Sequence, residues 1–167
     1  MIKNFLVLFG ISFLLQSCFY THRAKKIDAY ELIQNKEETA SKFVFEYPGN
    51  KKDFEKKSIS FFRLDTSYMP FNFTTDQLYP DEELNVLIIT SRDKDVMVNL
   101  LGYIIRESLK TDNENLNKDE DPNPDTTYYY FVHIQVTDKE GNDVLAGSSM
   151  RSKAIINKLL KYKHYLN

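Results

Sequence analysis

TYYYFVHIQVTDKEGNDVLAG, residues 127–147, alternates before it turns. Tyr128, Tyr130, Val132, Ile134 and Val136 fall on one side of an extended chain, and Tyr129, Phe131, His133 and Gln135 on the other. This two-residue period is that of a long β-strand. Residues 138–142 then read as a tight hairpin in which Gly141 is free to take positive φ, and 143–147 as the antiparallel return. Beyond it, Ser148 or Ser149 caps a last helix, with Ile155, Leu159, Tyr162 and Leu166 on one stripe.

Working outward, residues 84–90 are a nearly continuous apolar run (Leu84, Val86, Leu87, Ile88, Ile89), as expected of a central strand. From 93 to 109, Met97, Leu100, Leu101, Ile104, Ile105 and Leu109 recur at three- and four-residue intervals behind Asp93 and Asp95. That spacing predicts an amphipathic helix lying on the sheet. Upstream, residues 42–47 alternate Phe43, Phe45 and Tyr47 against Val44 and Glu46, and Pro48, Gly49 and Asn50 turn the chain. Residues 57–64 supply a partner strand with Ile59 and Phe61 on one face. Residues 27–36 read as a short helix. Residues 65–82 read as a long aromatic loop packed over one end of the sheet. The expected class is α+β: a mainly antiparallel sheet of about five strands, with two or three helices packed on one face.

The 167 residues carry 22 Lys and Arg against 24 Asp and Glu, a formal net charge of −2, which argues against nucleic acid as a general partner. Aromatic residues make up 14%, all Phe and Tyr, with five Gly and five Pro, a folded rather than a disordered composition. Charge is unevenly spread. Acids crowd residues 112–125, whereas no acid follows Asp143, and Arg151, Lys153, Lys158, Lys161 and Lys163 do.

The start of the chain carries an address. Lys3 precedes an apolar run from Phe5 to Leu15, too short to span a bilayer comfortably, and Leu15, Gln16, Ser17 and Cys18 follow. Cys18 is the only cysteine. Through Leu15, Ser17 and Cys18 this stretch resembles the signal peptides of bacterial lipoproteins, although Gln16 departs from their usual small or β-branched residue. The resemblance covers residues 1–18 only and implies cleavage after Ser17, a diacylglyceryl group on the Cys18 thiol, and acylation of the new amine by a chain such as palmitate. Residues 1–17 are then a signal peptide, 18–26 a lipidated tether and 27–167 a single domain. Two or three acyl chains hold a protein on a membrane where one does so marginally. Phe19 does not match the Asp that retains some lipoproteins at the inner membrane, so the resemblance points to the outer membrane, facing the periplasm. Arg23, Lys25 and Lys26 either rest against anionic headgroups or form a solvated linker.

Chemistry is harder to find. His22, His133 and His164 lie in no local catalytic signature, the thiol is consumed by lipid, and scattered glycines form no phosphate loop. No catalytic residue and no cofactor is called for. Asp119, Asp121 and Asp125, with Asn123, place oxygen ligands at alternate positions, but Pro122 and Pro124 and the missing glycine make a poor calcium loop. Tyr68, Met69, Phe71, Phe73 and Tyr79 are the candidate partner-binding surface, with closure of the sheet end as the other reading. The expectation is a non-catalytic binding or assembly subunit of the envelope, anchored through Cys18 and holding an envelope protein. The rivals are a hydrolase of envelope polymers and a small-ligand or metal-ion carrier.

Overall fold

The computed structural model describes residues 18–34, 40–99 and 126–167. These fall into two compact units whose boundary lies within two long strands. The larger holds, of the described residues, 25–34, 40–93 and 129–167; the smaller holds 18–24, 94–99 and 126–128.

The strands are β1 (Cys18–His22), β2 (Glu31–Ile33), β3 (Lys42–Glu46), β4 (Asn72–Thr75), β5 (Leu84–Asn99) and β6 (Thr126–Thr137), and the helices are α1 (Lys51–Phe62) and α2 (Met150–Leu166). In the larger unit the order is β4-β5-β6-β3-β2, an open antiparallel sheet of five strands, and the class is α+β. Register places Val44 opposite His133 and Glu31, and Phe73 opposite Val86. In the smaller unit β1 runs antiparallel to the far end of β5, with Cys18 opposite Asn99 and His22 opposite Val96. There the Asp95 carboxylate accepts the Ala24 N–H at 2.7 Å.

Alternation in β6 sorts side chains as read. Val132, Ile134 and Val136 join the main core with Phe43, Phe45, Leu84, Val86, Ile88, Ile155, Leu159, Tyr162 and Leu166. Phe131 and half-buried Tyr129 join a smaller cluster around Ile27 and Val44. Gly141 turns the hairpin at φ 85°, with its N–H on the Asp138 carbonyl at 3.1 Å. The return is a single bridge between Thr137 and Asp143 rather than a strand. The Asp143 carboxylate explains why. It accepts the N–H of Leu145 at 2.8 Å and of Ala146 at 3.2 Å, which curls the chain, and the N–H of Ser41 at 2.7 Å, which ties it to the start of β3. Ser149 then caps α2, accepting the Ser152 N–H, and the Ile155, Leu159, Tyr162, Leu166 stripe is buried throughout.

Three expectations are corrected. Residues 57–62 of the expected strand 57–64 belong to helix α1, and Arg63 and Leu64 close its C-terminal end. The Asn50 side chain accepts the Asp53 N–H at 2.9 Å and donates to its carboxylate at 2.7 Å, capping a helix that buries Phe54, Ser58 and Phe62. The aromatic β-propensity of this stretch yields to that cap and to a four-residue burial spacing. Residues 27–34 are not a helix, and 35–36 lie outside the described residues: Glu31–Ile33 pair with β3, and Tyr30 stacks on Phe43 with centroids 4.8 Å apart. So short a helix carries a nucleation cost that strand pairing avoids. Finally, residues 93–99 continue β5 instead of starting a helix, while 100–109 lie outside the described residues. The β-branched Val96 and Val98 suit the strand as well as the stripe suited a helix.

Arg151 stands in the first turn of α2, where the helix dipole disfavours a cation, and two carboxylates offset this. Its guanidinium bonds Glu82 and lies 4.0 Å from Asp138, while Lys139 pairs with Glu83 at 3.1 Å. The Asn142 amide lowers the Asp138 pKa against the effect of burial, with further help from the Asn142 N–H, the Arg151 charge and the Glu140 N–H.

Between the helices, the Tyr162 hydroxyl meets Ser58 Oγ at 2.6 Å, and Ser58 Oγ donates to the Phe54 carbonyl at 2.6 Å. Burial pushes the Tyr162 phenol well above its ordinary value, only partly opposed by the Ser58 bond, while Tyr47 adds to the rise. Tyr162→Phe should therefore cost about 1 kcal/mol in denaturant unfolding, against about 2–5 kcal/mol for Leu159→Ala. Burial also raises the Asp143 carboxyl, but its bonds from the Ser41 side chain and from the Ser41, Leu145 and Ala146 N–H groups win, and the pKa is lowered from 3.8. A carboxyl depressed in the folded state adds stability that is present above its unfolded value and lost as pH falls through the folded one. Asp143→Asn should flatten the acid limb of a pH–stability curve below about pH 4, and an unchanged limb would show that Asp143 is not its source.

Candidate functional site

The segment after α1 is shaped at its start by Arg63, which takes a left-handed conformation (φ 53°), while the Leu64 N–H closes back on the Ile59 carbonyl at 3.0 Å. The Thr66 hydroxyl donates to the Tyr68 carbonyl at 2.6 Å, and the Phe71 carbonyl accepts the Ile88 N–H at 2.8 Å. Within the expected loop, residues 72–75 form β4 on the flank of β5. Backbone pairing on β5 thus holds Tyr68 and Phe71 at the end of an ordered turn.

The five candidate aromatic and Met residues separate. Phe73 packs on Phe62 with centroids 5.0 Å apart, and half-buried Met69 and Tyr79 lie against the main core. Tyr68 and Phe71 face outward, 69% and 75% exposed. Beside Phe71 a shallow depression of about 60 Å³ is bounded by Lys51, Glu55, Met69, Pro70 and Thr90. Small-molecule sites are roughly 300–1,000 Å³, and this depression is well below that range. Nearby, Asp53 and burial both push the Tyr47 phenol up, burial first.

Sheet formation also creates a pair that no local motif announced: Ser91 Oγ and His133 Nε2 are 2.7 Å apart on neighbouring β5 and β6. The distance meets the first requirement for activating a hydroxyl, but the pair is exposed on a strand surface, where such a bond is an ordinary solvated contact. Register across two strands set 42 residues apart placed it, which no short-range spacing could reveal.

Cys18 heads β1, so the first part of the expected tether is paired strand, and Ala24 and Ile27 are buried. Lys25 binds Glu31 at 2.5 Å. Asp119, Asp121 and Asp125 lie outside the described residues, among which no group of His, Cys, Asp and Glu is arranged to hold a metal. Among the described residues, no helix is long and apolar enough to cross a membrane. No protein-family model, curated protein or solved structure matches this chain.

The split within the aromatic segment yields a direct comparison. Phe71→Ala and Tyr68→Ala should leave thermal unfolding within about 0.5 kcal/mol of the parent. Phe73→Ala should cost upwards of about 2 kcal/mol, and equal losses at all three positions would refute the division.

Proposed function

We propose that this protein is a bacterial envelope lipoprotein acylated on Cys18, and that it acts without catalysis, holding a protein partner beside a membrane. The observation that carries this reading is the lone cysteine directly after Leu15-Gln16-Ser17, behind a basic start and a short apolar run. With its thiol in a thioether, the chain has no cysteine for a disulfide, and its stability rests on packing. The favoured location is the outer membrane, on the periplasmic side.

In this reading both helices cover one face of the five-stranded sheet. Their shared core with β3, β5 and β6 supports that arrangement. Tyr68 and Phe71 form the partner contact. Exposed aromatic side chains on an ordered turn bring large contact area at little entropic cost, a property of interface anchors.

Metabolic labelling with a palmitate analogue and detergent phase partitioning test the anchor. The native chain should take up label and enter the detergent phase, and Cys18→Ala should do neither; an unlabelled native chain in the aqueous phase refutes the proposal. A photo-reactive residue at position 71 should trap a discrete neighbour that the same residue at position 153 does not.

A further inference from the structure

A cleft of about 310 Å³ lies between the turn after β4 and the outer side of α2, within the larger unit. Its size is at the lower bound of small-molecule sites. On the helix side stand Asn157, Lys158 and Lys161; on the turn side, Asp76, Gln77 and the half-buried Tyr79. Position 161 lies one turn beyond both 157 and 158, so the side chains emerge together, with Cβ atoms of the two lysines about 5–6 Å apart.

Charge makes this cleft selective. Helix α2 contains no acidic residue. Arg151 is occupied by Glu82 and Asp138, and the Lys163 ammonium donates to the Ala29 carbonyl at 2.6 Å. Lys158 and Lys161, by contrast, ion-pair with no acid among the described residues. The one carboxylate at the rim, Asp76, accepts a hydrogen bond from the Gln77 amide at 2.5 Å, which partly offsets its charge. Two ammonium groups and an amide supply converging donors for an anion, and lysine binds phosphate as a compact point charge that needs no fixed donor plane. The Tyr79 ring offers an apolar wall for the group that carries it.

We propose that this cleft is an anion site for a phosphate-bearing ligand, held by Lys158, Lys161 and Asn157. The phosphate belongs either to a soluble phosphorylated molecule or to a lipid headgroup, and the chemistry of capture is the same. This inference stands apart from the acylation of Cys18 and from the aromatic contact.

Amine-reactive footprinting of the full-length protein, read by mass spectrometry, tests it with Lys52, Lys56 and Lys153 as internal references. Inorganic phosphate should protect Lys158 and Lys161 saturably, and chloride at matched ionic strength should not. Protection by phosphatidylglycerol vesicles, and not by phosphatidylcholine vesicles, at phosphate-group concentrations where free phosphate does not yet protect assigns the site to a headgroup; equal protection by free phosphate at those concentrations assigns it to a soluble ligand. Replacing both cleft lysines (Lys158→Gln with Lys161→Gln) should weaken phosphate binding about tenfold or more, as measured by calorimetry. Asp76→Asn should tighten it about two- to threefold by removing a repelled charge, and Lys153→Gln should leave it unchanged. Uniform protection of every lysine, no protection by either probe, or equal phosphate binding in the double variant would overturn the proposal.

Discussion

A set of aromatic rings in mutual contact is the constraint on which the larger unit depends. Phe45 meets Tyr162 edge-on at 6.3 Å, Phe61 and Phe62 lie 5.0 and 4.8 Å from the same ring, and Phe73 continues the series from Phe62. These contacts link β3, α1, α2 and β4 through one phenol. Each well-placed ring pair adds about 0.5–1.5 kcal/mol beyond the area it buries. The Tyr162 hydroxyl is satisfied by Ser58, so the phenol's buried polar atom also ties α1 to α2.

Outside that core, polar groups do most of the positioning. Asp143 binds three backbone N–H groups and thereby joins β3 to the lead-in of α2. Arg151 draws the turn before β5 and the hairpin after β6 toward the start of the same helix. Two surfaces stand out beside these: on α2 a pair of lysines beside a cleft, and after α1 a pair of exposed aromatic side chains. Opposite charge and apolar contact, respectively, are the interactions these two surfaces have to offer.

Elements whose period had one explanation were legible: β3, the first half of β5, β6 with its Gly141 turn, and α2 with its buried stripe. Elements with two compatible readings were not. Ile59 and Phe61 alternate as a strand would, yet Phe54, Ser58 and Phe62 also recur as a helix requires, and the Asn50 cap tips the balance. Residues 93–99 carry both a helical stripe and β-branched side chains, and pairing with β1 goes with the strand. The candidate aromatic surface was legible as a segment but not residue by residue, because only packing separates Phe73 from Phe71.

By itself the sequence determined the lone cysteine in its lipoprotein-like context, the acid-free final helix and the antiparallel class. These follow from local composition and from periods spanning a few residues. Tertiary structure alone decided that Ser91 meets His133, that Asp143 reaches Ser41, and that Lys158 and Lys161 face the turn at Asp76. Such contacts join positions tens of residues apart, and their geometry is set by strand register and helix docking, quantities that no local pattern encodes.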